Sequence, residues 1–348
     1  MTLSYLIVGA GNIGKLIGGK LSVSGEDVTF LIRKNKYEEI KTNGITIQNG
    51  SLTTQVDNPQ IITNLNEITN TKKLDFIVLA VKGFHTPTII EMINDAKLHS
   101  PQIICVQNGV DNETLLSNAF GSENVIPATI TTAVSISPNG IVNVDRERGV
   151  GIAAGNDHSL KIFNSFITAG FHTILYPNAK AMKWTKLMTN LISNASSAIC
   201  DLSPSEILKH DRLFRLEIKA IEEVLNVMKG MQIPVVPLPK TPSKLLAFAI
   251  KNLPKWTYRQ ILIDKVSQGR GGKKPSLHID LLEKRQLSEV GLLNGSVFRH
   301  AESLGLSAPV NKGLDQILNE ITMNPSLWEN YRHKPDVLAD KLLSGDFI

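Results

Sequence analysis

Residues 4–8 form an almost unbroken apolar run, and runs of the same kind recur at 28–32, 76–81, 103–107 and 125–130. Segments with helical spacing of apolar positions lie between them, which is the pattern of a parallel sheet with crossover helices. Near-continuous apolar character, rather than strict alternation, predicts strands covered on both faces. Past Asn139-Gly140, residues 141–144 and 149–153 read as a hairpin closing this domain. From Ala179 onward the periodicity turns helical, predicting helices over 179–200, 211–230, 242–252, 277–284, 288–304 and 309–323. A Pro-rich passage at 234–242 interrupts them, and the run Gly269-Arg270-Gly271-Gly272-Lys273-Lys274 reads as a basic loop. The expectation is an α/β domain over residues 1–177, followed by an all-α domain over 178–348.

Directly after the first strand stands Gly9-Ala10-Gly11-Asn12-Ile13-Gly14, opening a helix. In that strand–turn–helix setting the first glycine permits the tight turn and the second lets a pyrophosphate approach the backbone. The third lets helix and strand pack closely. Free N–H groups and the positive end of the helix dipole then meet the phosphates. This marks a Rossmann-type dinucleotide site. The second strand runs into Arg33-Lys34-Asn35-Lys36, where an NAD site would carry a carboxylate for the ribose hydroxyls. A carboxylate would repel a 2′-phosphate, whereas Arg33 offers it a planar fork of donors, so NADP is expected. Two further strand ends, Val81-Lys82-Gly83 and Gln107-Asn108-Gly109, belong at the same sheet edge. Lys82 suits an anionic group there, and Asn108 suits the nicotinamide ribose or the substrate, although Asn-Gly is also a common turn pair.

Lys186, Asn190 and Asn194 fall at i, i+4 and i+8, flanked by Leu187, Met188, Leu191, Ile192 and Ala195. One face of a largely buried helix therefore carries an ammonium and two carboxamides, which need partners that a polar ligand would supply. An ammonium beside a ketone oxygen stabilises the negative charge that grows there on reduction, and can donate the proton. The stripe could instead face solvent, with Lys183, one turn earlier, as the alternative candidate for the exposed lysine of this helix. Glu289 is a carboxylate available to balance Lys186, and Ser276 is placed to cap the helix that follows it.

The 37 Lys+Arg against 32 Asp+Glu leave a formal charge of +5 with no long basic run, so acidic small molecules rather than nucleic acid are the expected partners. Cys105 and Cys200 stand far apart, which fits neither a disulfide framework nor a cysteine-rich zinc site. The eight histidines form no metal-ligand pattern, so no metal is expected. A basic start with a long apolar centre is missing from the N-terminus, and no apolar run approaches a membrane span. A cytoplasmic setting without membrane contact is the expectation, and a homodimer stays open.

Taken together, the order and spacing of these motifs resemble the ketopantoate reductase (2-dehydropantoate 2-reductase) family over most of the chain. The matching landmarks are the glycine turn at 9–14, Val81-Lys82, Gln107-Asn108-Gly109, Trp184-Thr185-Lys186-Leu187 with Asn190 and Asn194, Pro275-Ser276-Leu277-His278-Ile279-Asp280, and Ser288-Glu289. The resemblance implies a helical domain like the C-terminal domain of 6-phosphogluconate dehydrogenase. It implies NADPH-dependent reduction of 2-dehydropantoate to (R)-pantoate, with Lys186 as general acid and Glu289 holding it and the ligands. It further implies that Asn190, Asn194 and Ser276 bind substrate with Asn108 and Lys186, that Gly9, Ala10, Gly11, Asn12, Ile13, Gly14, Arg33, Lys82 and Asn108 face the cofactor, and that Asp280 supports the site. The segment before Glu289 is about one residue longer than the common family form, residues 235–274 are expanded, and an extension follows Met323. Those departures keep two other readings open: a reductase of another 2-ketoacid or an opine-type imine, and a non-catalytic NADP-binding sensor.

Overall fold

The computed structural model describes residues 2–68, 74–98, 102–155, 157–270 and 274–344. They separate into two units, one formed by Met1–Lys183 with Pro239–Thr241 and the other by Trp184–Leu238 with Pro242–Ile348.

The strands of the first unit are β1 (Ser4–Val8), β2 (Asp27–Leu31), β3 (Ile45–Asn49), β4 (Leu52–Val56), β5 (Gln60–Ile62) and β6 (Phe76–Leu79), followed by β7 (Gln102–Cys105), β8 (Val125–Ile130), β9 (Ala133–Ile136), β10 (Val142–Arg146), β11 (Val150–Ala153) and β12 (Thr173–Tyr176). Helices α1 (Asn12–Val23), α2 (Tyr37–Asn43), α3 (Thr86–Asp95), α4 (Asn112–Phe120) and α5 (Asp157–Thr168) connect them. Eight strands make one sheet in the order β12-β11-β8-β7-β6-β1-β2-β5. The five strands expected from apolar runs are its contiguous centre, β8 to β2, and they pair in parallel. Alternate residues of these strands enter opposite cores. Tyr5, Ile7, Phe30, Phe76, Val78 and Ile104 face one, while Leu6, Val8, Leu31, Ile77, Leu79 and Ile103 face the other. That two-sided burial is why their sequences read as continuous rather than alternating.

The expected hairpin of residues 141–144 and 149–153 does not form. Across Asn139-Gly140, β10 pairs antiparallel with β9 and belongs to a separate four-stranded sheet, β4-β3-β10-β9. β11 instead joins the large sheet, antiparallel to β8 and parallel to β12. The burial of each strand explains the split: β11 is buried throughout, whereas β10 is deeply buried only at Val142. Between them Gly149 has φ +148, and a Cβ there would stand 2.2 Å from the His172 carbonyl oxygen. The chain changes sheets at a position that only glycine fits.

All elements of the second unit are helical among the described residues: α6 (Ala179–Leu191, which crosses the division), α7 (Ala195–Cys200), α8 (Pro204–Lys209), α9 (Asp211–Gly230), α10 (Ser243–Asn252), α11 (Lys255–Arg270), α12 (Ser276–Leu282), α13 (Asn294–Ser303), α14 (Pro309–Met323) and α15 (Pro335–Leu343). Helix α9 carries two buried glutamates on its inner face, and each satisfies the open start of another helix. Glu217 accepts the Ser193 N–H at 2.6 Å and the Ser196 hydroxyl. Glu223 accepts the N–H groups of Val310 at 3.0 Å and Asn311 at 2.9 Å, at the start of α14. The helix expected over 179–200 is therefore two helices, broken where Ser193 turns left-handed at φ 48 to present its N–H to Glu217. The one expected over 288–304 opens with a separate 3-10 turn, Glu289–Leu292. Within the basic run at 269–274, Arg270 ends α11, and residues 271–273 lie outside the described residues. No described helix is long and apolar enough to cross a membrane.

Candidate active site

In the first unit, four neighbouring parallel strands deliver their carboxyl ends to one edge. Gly9 follows β1, Arg33 follows β2, Lys82 follows β6 and Asn108 follows β7, in the spatial order β7-β6-β1-β2. Each glycine of the turn has a separate task. Gly9 has φ +100, and a Cβ on it would meet Val81 Cγ1 at 2.7 Å. At Gly14 a Cβ would stand 1.8 Å from the Gly9 carbonyl oxygen, so helix and strand pack with no room for a methyl group. A Cβ on Gly11, by contrast, would meet nothing within 4 Å. No side chain caps α1, and its first turn has no acidic residue. Open backbone N–H groups, free space above Gly11 and a positive helix end fit the pyrophosphate of a dinucleotide. Ala10, Asn12 and Ile13 complete the turn, with Asn12 Nδ2 donating to the Val134 carbonyl at 3.3 Å. Arg33 is exposed. Nearby Lys36 is paired with Glu39 at 2.6 Å, so the basic loop is partly neutralised at its far end.

Gln107 locks two of these strand ends together. Its carboxamide donates to the carbonyls of Val81 at 3.1 Å and Lys82 at 3.5 Å. The Asn108 carbonyl accepts from Asn112 Nδ2 at 3.0 Å, and the Thr86 hydroxyl stands between Gln107 Oε1 and Asn112 Oδ1. Lys183 completes the clamp. Far from being exposed, it is 5% exposed, donates to the Gln107 carbonyl at 2.6 Å and the Ala128 carbonyl at 3.3 Å, and pairs with Glu113 at 2.7 Å. Burial pulls its pKa down, but the Glu113 carboxylate more than offsets this and the ammonium ends above its ordinary range. A buried ammonium needs a counter-charge and acceptors; Glu113 supplies the first and the Gln107 and Ala128 carbonyls the second. Gln107, Glu113 and Lys183 were not singled out from the sequence for this role. The signal available was only that two lysines, 183 and 186, stand on one helix, without a way to tell their faces apart.

The second unit gathers the rest. Lys186 is half-buried on α6, and one turn on Asn190 presents a buried carboxamide nitrogen that has no hydrogen-bond partner. Asn194, 1% exposed at the α6–α7 junction, donates to the Asn190 carbonyl at 3.2 Å and to Ser276 Oγ at 3.5 Å. Its Oδ1 accepts the Leu277 N–H at 3.2 Å. The cap of α12 thus comes from Asn194 and not from Ser276, which is itself the first helical residue. Asn190, Asn194 and Ser276 are brought together, and most of Asn194's capacity is spent on holding α12. Glu289 is 2% exposed in the 3-10 turn capped by Ser288. Asp280 is buried and pairs with Arg285 at 3.3 Å. Burial lowers the Arg285 pKa, but the carboxylates of Glu283, Asp280 and Glu289 more than compensate, which places Glu289 in the same local field as the foot of α12.

Two descriptions of one family match in tandem: "Ketopantoate reductase PanE/ApbA" over residues 5–156 and "Ketopantoate reductase PanE/ApbA C terminal" over residues 178–322. The chain belongs to the ketopantoate reductase family. A 2-dehydropantoate 2-reductase of Pyrococcus horikoshii is 25% identical over 316 residues, covering 89% of this chain and 94% of that one. The ketopantoate reductase of Ralstonia eutropha superposes with a TM-score of 0.77 at 22% identity, covering 92% of this chain and 98% of that one. A D-mandelate dehydrogenase solved with NADH and anilino(oxo)acetate reaches 0.76 at 18% identity, covering 93% and 99%. This chain is accordingly an oxidoreductase acting on CH–OH groups, with the two-part fold of the family.

Proposed function

We propose that this protein is an NADPH-dependent reductase of 2-dehydropantoate, forming pantoate for pantothenate synthesis. The observation that carries the reading is the buried Asn190 carboxamide nitrogen without a partner, one helical turn from Lys186, on a helix followed directly by Asn194, which contacts Ser276. A buried donor without a partner is costly, and a substrate carboxylate or hydroxyl would satisfy it. The reduced nicotinamide supplies the hydride that reaches the ketone carbon. Lys186 donates the proton to the ketone oxygen as negative charge grows there. Glu289 is the buried carboxylate that balances the ammonium, Asn190 Nδ2 and the Ser276 hydroxyl orient the substrate, and Asn194 holds both in register. Toward the cofactor, the turn from Gly9 to Gly14 receives the pyrophosphate, Arg33 pairs with a 2′-phosphate, and Lys82 and Asn108 border the nicotinamide ribose.

NADPH oxidation with 2-dehydropantoate tests this directly. Lys186→Ala is expected to lower kcat by about 100-fold or more, as loss of a general acid does; a nearly active variant would remove that role. Higher kcat/KM for a bulkier 2-ketoacid in a substrate panel would move the assignment to that acid. Arg33→Ala is expected to cost NADPH affinity about tenfold and leave NADH affinity unchanged, as loss of a charge-assisted phosphate contact would.

A further inference from the structure

The C-terminal family match ends at residue 322, and the residues after it pack on α9, α14 and the end of α7 within the second unit. A 3-10 segment, Pro325–Asn330, carries Trp328 to the carboxyl end of α7. There its indole N–H donates to the carbonyls of Ala198 at 3.0 Å and Ile199 at 2.9 Å. The His333 N–H donates to the Cys200 carbonyl at 2.7 Å. These are the carbonyls that the end of a short helix leaves open. Next to them Asp201, left-handed at φ 49, accepts from Arg332 Nε at 2.9 Å, and the guanidinium lies over the Trp328 ring at 5.1 Å.

Asp201 connects this segment to α12. Its other oxygen accepts from Nε2 of the fully buried His278 at 2.7 Å and from Lys274 Nζ at 3.1 Å. His278 lies two residues beyond Ser276, and the intervening Leu277 N–H is held by Asn194 at the opposite end of α7. Helix α12 is thus fastened to both ends of α7, at Leu277 through Asn194 and at His278 through Asp201. A displacement of Asp201 must pass to the first turn of α12, since both fastenings are directional hydrogen bonds to a buried helix.

We propose that the segment after residue 322 is a strap that acts through Arg332 and Asp201 to position Ser276 and Asn194, and so sets affinity for the ketoacid; this rests on the substrate-binding assignment above. Trp328, Arg332, Asp201 and His278 are positioning residues, which touch the groups that bind rather than the substrate.

The test uses full-length Arg332→Ala, Arg332→Lys and Trp328→Phe, with two readouts. In the free protein, amide hydrogen exchange at residues 277–279 is expected to quicken about tenfold in Arg332→Ala, as when a local fastening is lost. In turnover, KM for 2-dehydropantoate is expected to rise roughly tenfold, with kcat within about twofold and KM for NADPH unchanged, the pattern of lost uniform binding. Arg332→Lys is expected to restore most of both effects, and Trp328→Phe to reproduce them more weakly. Unchanged exchange at 277–279 overturns the proposal. So does a loss that follows melting temperature and falls equally on kcat and both KM values. If the wild-type protein turns over no 2-ketoacid, the functional assignment fails, and the exchange measurement still decides whether the strap holds α12.

Discussion

Gly11 and Gly14 stand in one turn, and the space around them demands glycine for opposite reasons. At Gly14 an added methyl group would collide with the Gly9 backbone, and backbone cannot move aside cheaply. At Gly11 the methyl would meet no protein atom and would fill the open volume proposed above for a pyrophosphate. Gly14→Ala is expected to lower unfolding free energy by about 2–3 kcal/mol, the scale of overpacking against an unyielding wall. Gly11→Ala is expected to stay within about 1 kcal/mol of wild type in stability and to weaken NADPH binding about tenfold or more. Denaturant melts and nucleotide titrations of the two variants separate these outcomes; a stable Gly14→Ala, or a Gly11→Ala with full affinity, would contradict the assignment. The sequence spacing identified both glycines, because the requirement is local to one turn. Lys183 and Lys186 were not separable in the same way: which ammonium is buried depends on Glu113 and on the Gln107 carbonyl, far away in the chain.

Among the elements, legibility followed burial. Strands β1, β2, β6, β7 and β8 are covered on both faces and were readable as apolar runs, whereas β3 and β4 mix apolar and polar positions and were not read, and β10 was read as a strand but given the wrong partner. Long amphipathic helices such as α9 and α14 were legible from their spacing, but α8, α11 and α15 were missed. The low contrast between the faces of α11, with Trp256 and Ile261 both exposed, leaves little periodic signal. The break between α6 and α7 was hidden for another reason: Glu217 from α9 satisfies it, and no local motif announces a cap supplied from elsewhere in the chain, whereas α14, held in the same way by Glu223, was legible because Pro309 opens it. Glu223→Ala would leave the buried N–H groups of Val310 and Asn311 without their acceptor and take one of the two acceptors from the Asn311 carboxamide nitrogen, which keeps the Ala220 carbonyl. The expected cost is about 3 kcal/mol, that of several buried donors left unsatisfied. Glu223→Gln retains one acceptor oxygen and is expected to lose less. Equal stability of Glu223→Ala and wild type in urea would show that the cap is dispensable.

At the scale of the whole molecule, the modest +5 charge matters through where it is concentrated. Arg33 and Lys82 stand at the carboxyl edge of the first unit's large sheet, Lys186 stands in the second unit, and a second positive cluster surrounds Asp201. Burial alone would push the Asp201 carboxyl up, but hydrogen bonds from His278, Lys274 and Arg332 overcome it and hold its pKa at about 2, from an ordinary 3.8. His278 is pulled below its ordinary value by burial, and then by Lys274, against the pull of Asp201, so the neutral ring is the donor at neutral pH. Because the folded-state pKa of Asp201 lies below the unfolded one, its contribution is complete above about pH 4, falls away as the pH drops towards 2, and is gone below. A shift from 3.8 to about 2 corresponds to about 2.5 kcal/mol. Asp201→Asn is therefore expected to lose about 2 kcal/mol at pH 7 and almost nothing near pH 2, flattening the acid limb of the stability curve between pH 4 and 2. Fluorescence of Trp328, which stands beside the cluster, follows that limb in urea melts across the range, with Trp184 and Trp256 replaced by Phe in both proteins. An Asp201→Asn curve parallel to wild type through the window would mean that His278, Lys274 and Arg332 do not hold the carboxylate, and that the junction of α7, α12 and the C-terminal segment owes its stability to packing alone.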